Sequence, residues 1–257
     1  MKTLVKYNER FVFSSFTILL TFILWFSLSE IGIINSAFIP TTQETKIAFS
    51  NVIHNGYANG SLYLHIVHSI KLVISGFFIA ILIGIPLGLW MGYSKYANAF
   101  FGPIFSIIRP IPPIAWIPIS IIFFGLGDSS KLFLIILAAF VPAVINAYTG
   151  SKSTPKHLIE ASKMLGIKPL KFTTEVIVPS ASIHIFTGLK LSLQASWVSL
   201  VASELVGAEY GLGRILNQAA QDIYPAMILT SMFIVALIGW VMTILLERIE
   251  KKVIRWN

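Results

Sequence analysis

The chain contains no cysteine, which rules out a disulfide framework, a thiolate metal site and a cysteine nucleophile. Charge is nearly as scarce: Asp, Glu, Lys and Arg make up 12% of the 257 residues, against roughly a quarter in an ordinary soluble domain. A glycine-rich loop ending in lysine is also missing. Gly125, Leu126, Gly127 and Gly211, Leu212, Gly213 have no strand pattern before them and open no phosphate-binding helix, so neither is a nucleotide fingerprint. Among the five histidines only His65 and His68 have a spacing that suits a shared metal. With no third ligand nearby, an interfacial structural role is expected of them. No serine–histidine dyad or paired carboxylate stands at bilayer depth, which argues against an intramembrane enzyme.

Apolar residues, by contrast, make up 56% of the chain, and they come in runs. Crossing a hydrocarbon core of ~30 Å takes about 20 helical residues at a rise of 1.5 Å each. Phe11 to Leu28 and Leu72 to Tyr93 are uncharged throughout and read as the first two spans. Phe100 to Phe124, Leu132 to Thr149, Val176 to Ser203 and Ile223 to Leu246 follow, for an all-α membrane protein of six transmembrane helices. The first run, preceded by Lys2, Lys6 and Arg10, also has the outline of a signal peptide. Its 18 residues exceed the usual apolar region of about 7 to 15.

The cations orient these spans. With both termini cytoplasmic, the interior segments hold thirteen: Lys2, Lys6, Arg10, Lys95, Lys152, Lys156, Lys163, Lys168, Lys171, Arg248, Lys251, Lys252 and Arg255. The exterior connections hold three, Lys46, Lys131 and Arg214, as the positive-inside rule requires. The formal net charge of +8 thus belongs to membrane topology and gives no ground for nucleic-acid binding. In the longest exterior connection, Ser29 to Leu64, Thr42 is expected to cap a short surface helix with Glu44 in its first turn.

Two spans carry internal signals. In the second, Gly76, Ala80, Gly84, Gly88 and Gly92 recur every four residues. Such a ridge of small side chains lets helix backbones approach closely, so this helix should pack against protein. In the third, Pro103, Pro110, Pro112, Pro113 and Pro118 are expected to prevent a regular helix. Irregular backbone at membrane depth survives where protein buries it or where it lines a cavity. Arg109 stands beside that break. A cation at mid-membrane costs about 2.5 to 3.5 kcal/mol on insertion scales, so Arg109 requires a partner, an interface or a passage.

The largest polar interruption is SKSTPKHLIEASKMLGIKPLK, residues 151–171, with five lysines. Thr154 reads as a helix N-cap, Pro155 as the first helical residue and Gly166 as the stop. Leu158, Ala161 and Leu165 fall on one face, with Lys156 and Lys163 elsewhere. The result is a short amphipathic helix that suits either a lipid surface or a groove in a partner protein.

Glu160, Ala161, Ser162, three residues, Gly166, nine residues, Val176, one residue, Val178, Pro179 resembles the EAA motif of ATP-binding-cassette importer permeases, E-A-A-x3-G-x9-I-x-L-P. Ser162, Val176 and Val178 depart from it but stay small or apolar. From about Pro40 onward, GIPLGLWMG, RPIPPIAWIP, FFGLGDSSK and GLKLSLQASWVSLVASELVGAEYGLG are similar to the nitrate, sulfonate, taurine and bicarbonate subgroup. The resemblance implies one transmembrane permease domain, residues 1–257, of the type I (MetI-like) importer fold in a bacterial inner membrane. It further implies a permease dimer, two cytoplasmic ATPase subunits that hydrolyse the ATP, and an extracytoplasmic solute-binding protein. Leu158, Glu160, Ala161, Ser162, Leu165, Gly166 and Pro179 would then form the ATPase-coupling segment, and no cofactor is called for.

For a small anion such as taurine, an aliphatic sulfonate or nitrate, the candidate path residues are Arg109, Trp116, Lys190, Gln194 and Trp197. Lys190 and Gln194 lie one turn apart and share a face. Interhelical hydrogen bonding and helix-end snorkelling are the structural alternative for these side chains. An ion-coupled carrier, the other functional class, would place carboxylates in mid-membrane, where Glu204, near the outer end of its span, is the one candidate.

Overall fold

In hydrocarbon a backbone must satisfy its own polar groups, and helices do so within one segment. The computed structural model, which describes residues 13, 16, 17, 19–21, 23–29 and 39–254, is accordingly built from helices, with one isolated bridge between Tyr57 and Gly60. In chain order these are α1 (Leu19–Ser29), α2 (Thr42–His54), α3 (Leu62–Tyr93) and α4 (Lys95–Ile108). A 3-10 turn (Pro113–Trp116) leads to α5 (Ile117–Phe124), α6 (Asp128–Lys152), α7 (Lys156–Met164) and α8 (Pro169–Lys171). A π-turn (Phe172–Ile177) then opens into α9 (Val178–Gly207), followed by α10 (Leu212–Gln221) and α11 (Pro225–Val253).

Four of these helices are long and apolar enough to cross a membrane: α3, α6, the stretch Pro169–Gly207 and α11. The bent pair Lys95–Ile108 and Pro113–Phe124, at 86°, makes up to five. Six were expected. Of the first expected span the structure describes α1, a shorter apolar helix, together with residues 13, 16 and 17, and the other residues before α1 lie outside the described ones. The third is a bent pair because its prolines differ in effect. Pro103 sits inside α4, and Pro118 falls in the first turn of α5, where a missing N–H is harmless. The break occurs at Arg109 to Pro112, where successive prolines remove donors and hold preceding residues extended.

The chain divides into two compact units, residues 1–62 with 215–233, and residues 63–214 with 234–257. In the first, α2 begins with a capping box: the Thr41 hydroxyl accepts from the Glu44 N–H at 3.1 Å, and the Glu44 carboxylate accepts from the Thr41 N–H at 2.9 Å. The cap is therefore Thr41 rather than Thr42, because Thr41 is the residue still extended (φ −69°, ψ 160°). The Thr230 hydroxyl donates to the Ala226 carbonyl at 2.7 Å, and Tyr57 donates to the Asp222 carboxylate.

In the second unit α6 is the central element. Its approach to α3 is set by the small-residue ridge: a Cβ added at Gly76 would lie 2.5 Å from Ile135, at Gly84 3.1 Å from Ala143, and at Gly88 2.8 Å from Ala147. Ser151 on α6 donates to the Leu89 carbonyl at 3.0 Å. On the other side, a Cβ at Gly150 would meet that of Ala181 at 2.9 Å, and one at Gly188 that of Asn146 at 2.7 Å. Ser192 donates to the Ala139 carbonyl at 2.7 Å. Small residues on both faces thus bring three backbones within hydroxyl reach. Elsewhere Leu82, Ile122 and Phe123 are each more than three-quarters exposed, a surface suited to lipid.

One end of this unit is tied by a buried carboxylate. Glu204, fully buried, accepts from the Gly213 N–H at 2.7 Å and from the Ser69 hydroxyl at 2.8 Å. Ser69 in turn accepts from the Leu212 N–H, and His65 Nδ1 accepts from the Gly211 N–H, both at 2.9 Å. Three consecutive backbone donors are satisfied by side chains of α3 and α9. Gly211 (φ +140°) permits this turn, since a side chain there would collide with the Glu204 carboxyl. His68 bridges at 3.0 Å to Asp128, which also holds Lys131 at 3.1 Å.

Gly88→Leu should cost about 1 to 3 kcal/mol through overpacking against α6, read as a lower melting temperature in detergent, whereas Leu82→Ala should change it little. Glu204→Ala should cost on the order of 1 to 3 kcal/mol for each donor left unpaired, and proteolysis should then cut first within residues 208–213.

Candidate functional site

The polar segment forms a fixed elbow. Pro155 (φ −57°, ψ 133°) is the last extended residue, and its carbonyl receives the N–H groups of Leu158 and Ile159. It therefore stands at the N-cap, one position later than the expected cap Thr154, whose hydroxyl is buried with no hydrogen-bond partner among the described residues. At the other end the Gly166 N–H reaches the Lys163 carbonyl and the Ile167 N–H the Ser162 carbonyl, both at 3.1 Å. With Gly166 at φ +62°, this is a Schellman ending that needs glycine's left-handed freedom. Lys168, extended before Pro169, restarts the chain into α8.

The elbow encloses a cleft of 430 Å³ between α7 and the start of α9. Leu158, Ala161, Ser162, Leu165 and Pro179 all line it, together with Glu175 and Val176. Of the seven expected coupling residues, five thus meet at one cleft. Gly166 forms the turn beside it, and Glu160 is exposed outside it. Leu165 and Met164 keep 77% and 89% of their surface exposed, an unpartnered apolar tip on a charged segment. Below the cleft the chain is anchored rather than loose. Ile177 at the end of the π-turn is buried with Leu89, Ala147 and Ala181, and Phe172 packs against the same cluster. Packed side chains thus connect the base of the elbow to α3 and α6.

A second feature lies at the bend after α4. Arg109 is the C-cap residue of α4, and its guanidinium has no hydrogen-bond or ion-pair partner among the described residues. It lines a cavity of 670 Å³ with Gln194 of α9 and Asn146 of α6, walled by Pro112, Pro113 and Leu191 among other apolar side chains. Asn146 donates through Nδ2 to the Pro142 carbonyl at 2.8 Å, which leaves its second Nδ2–H without a partner among the described residues. The other expected path residues stand elsewhere. Lys190 Nζ pairs at 2.8 Å with Glu250 of α11. Trp197 is 6% exposed, and the indole nitrogens of Trp116 and Trp197 are both buried without a partner among the described residues. Sequence reasoning passed over Asn146, although an amide between Ile145 and Ala147 in an apolar run was a visible signal.

The family model for the binding-protein-dependent transport system inner membrane component matches residues 84–256, more than half of the chain. The taurine transport system permease protein of Escherichia coli (strain K12) is 31% identical over 234 residues, 91% of this chain and 85% of that protein. The aliphatic sulfonates transport permease protein of Bacillus subtilis (strain 168), whose description is provisional, is 28% identical over 91% of this chain and 83% of its own length. Among solved structures, a chain of the MetNI methionine ABC transporter in an inward-facing conformation superposes with a TM-score of 0.67 at 20% identity, covering 75% of this chain and 97% of that one. That likeness shows a shared fold. With its helical spans and the matched region running through cleft and cavity, the chain belongs to the family of binding-protein-dependent transport system inner membrane components.

Proposed function

We propose that the chain is the permease subunit of an ATP-driven importer for a small oxyanion such as taurine, an aliphatic sulfonate or nitrate. It acts as one membrane domain paired with a second permease copy. Two cytoplasmic ATPase subunits drive it, and an extracytoplasmic binding protein delivers the solute. Both termini are cytoplasmic in this reading, and the chain itself hydrolyses nothing. The transport of taurine and aliphatic sulfonates named for the two relatives supports the substrate class, as does the unpaired guanidinium of Arg109 in a cavity large enough for such a solute.

The observation that carries the coupling half of the proposal is the rigid elbow from Pro155 to Pro179. An amphipathic helix that exposes Leu158, Met164 and Leu165 and is closed by Gly166 presents an apolar tip to a groove in a partner. Its far side is seated on the α3–α6 packing. Closure of the ATPase pair would push this tip, and the elbow would convert the push into movement of α9 instead of absorbing it. Glu160, exposed beside the tip, would pair with a basic side chain of the ATPase in this reading.

Gly166→Pro, which cannot adopt φ near +62°, should leave the complex membrane-inserted but uncouple ATP hydrolysis from uptake. Substrate-stimulated ATPase activity in reconstituted complexes is the measurement, and a normal response would overturn the coupling role. Glu160→Lys should weaken copurification of the ATPase without altering insertion. Binding of taurine, alkanesulfonates and nitrate to the cognate binding protein, measured by calorimetry, decides the substrate class.

A further inference from the structure

Two cavities of the larger unit share a wall. One is the 670 Å³ chamber where Arg109, Asn146 and Gln194 converge. The other, of 650 Å³, lies between the end of α3, α4 and the last turns of α6, and its polar lining includes Asn98, Ser106, Tyr148 and Thr149. Arg109 and Ile145 are the two residues that line both. On α6 the first chamber takes Val141, Pro142 and Asn146 and the second Val144, Tyr148 and Thr149. The chambers are thus offset along the helix axis by about one turn, ~5 Å. The second is the nearer to Ser151 and to the segment carrying α7.

Among the described residues no carboxylate lines either chamber. Lys190, the other cation of the expected path, is neutralised by Glu250, whereas Arg109 keeps its charge unspent. Lys152 reinforces the second chamber, since its Nζ donates to the Tyr148 hydroxyl at 3.1 Å and lies 5.3 Å from that ring's centre. A guanidinium carries five donors in a planar fork, so it can hold an oxyanion from either of two sides without moving its backbone. Its anchor is well placed for this, at the end of α4 where the chain turns through 86°.

We infer that Arg109 is a hand-over residue between two successive oxyanion stations, with Ile145 as the apolar partition. In the first station the anion meets Arg109, Gln194 and the Nδ2–H of Asn146 that is not donated to the Pro142 carbonyl. It leaves by exchanging those amides for Asn98 and the Tyr148 hydroxyl while the guanidinium stays engaged, the Ser106 hydroxyl being committed to the Gly102 carbonyl. The inference rests on the anion reading given under the proposed function. It goes beyond it by assigning both stations to one side chain and by predicting that the loss of that side chain is felt in both.

The cysteine-free chain allows a direct test in the full complex, with its ATPase and binding protein, in proteoliposomes. Asn146→Cys reports on the first chamber and Thr149→Cys on the second. Each is labelled with the anionic sulfonatoethyl methanethiosulfonate and, separately, with its cationic trimethylammonioethyl counterpart, with rates normalised to a free thiol. Both positions should favour the sulfonate reagent by about tenfold, Arg109→Gln should abolish the preference at both, and Arg109→Lys should keep part of it. A preference that survives Arg109→Gln at either position overturns the hand-over. Uptake of radiolabelled taurine, ethanesulfonate and nitrate by the unmodified complex is measured in parallel. If none is taken up while ATP hydrolysis proceeds, the anion reading fails, and the hand-over fails with it. Uptake together with labelling indifferent to Arg109 overturns the hand-over alone.

Discussion

The larger unit depends on how closely three helix backbones meet at α6. Glycine, alanine and serine on α3 and α9 remove the side-chain thickness that would otherwise hold the helices apart, and dispersion and short hydroxyl bonds then supply the cohesion that lipid does not. Ser151 reaches a carbonyl of α3 and Ser192 a carbonyl of α6, and a Cβ added at Gly92 in the ridge would lie 2.4 Å from that of Ser151. Packed interfaces of this kind deform in discrete steps rather than continuously.

The cleft and the cavity take their meaning from that core. Ile177 and Phe172 seat the base of the elbow at α7 against Leu89 and Ala147. The chamber around Arg109 exists because the proline-broken segment cannot continue α4 and so leaves irregular backbone beside α6 and α9. One device is an exposed apolar tip and cleft on a charged segment, the other an apolar chamber with a few convergent polar groups, and α6 borders the chamber while anchoring the base of the elbow. The buried Glu204 tie closes the far end of the unit. It binds three backbone donors of residues 211–213, with Ser69 and His65 sharing the work.

Much of the functional reading was legible locally. The elbow from Pro155 to Pro179 follows from turn chemistry and motif spacing, and the structure moved its cap by one residue, as it did at Thr41. The bent pair was visible as a cluster of prolines, though proline at 103 proved compatible with a helix. The polar side chains of the fifth expected span were misleading as a set. Lys190 and Gln194 share a helical face, yet the first turns to Glu250 while the second lines the chamber, since a neighbouring helix offered one of them a carboxylate.

The sequence by itself determined what depends on short-range pattern: the apolar runs that make spans, the charge asymmetry that predicts their sidedness, the glycine ridge, and the elbow with its motif. Tertiary structure alone decided which residues meet across the chain. Glu204 finds Ser69 across 135 positions, Lys190 is neutralised by Glu250, and Arg109 stands between two chambers. The reason is physical. Periodicity along one helix says which side chains share a face, but the partner of that face is set by the rotation and axial offset at which helices settle against one another, and only their mutual packing fixes those.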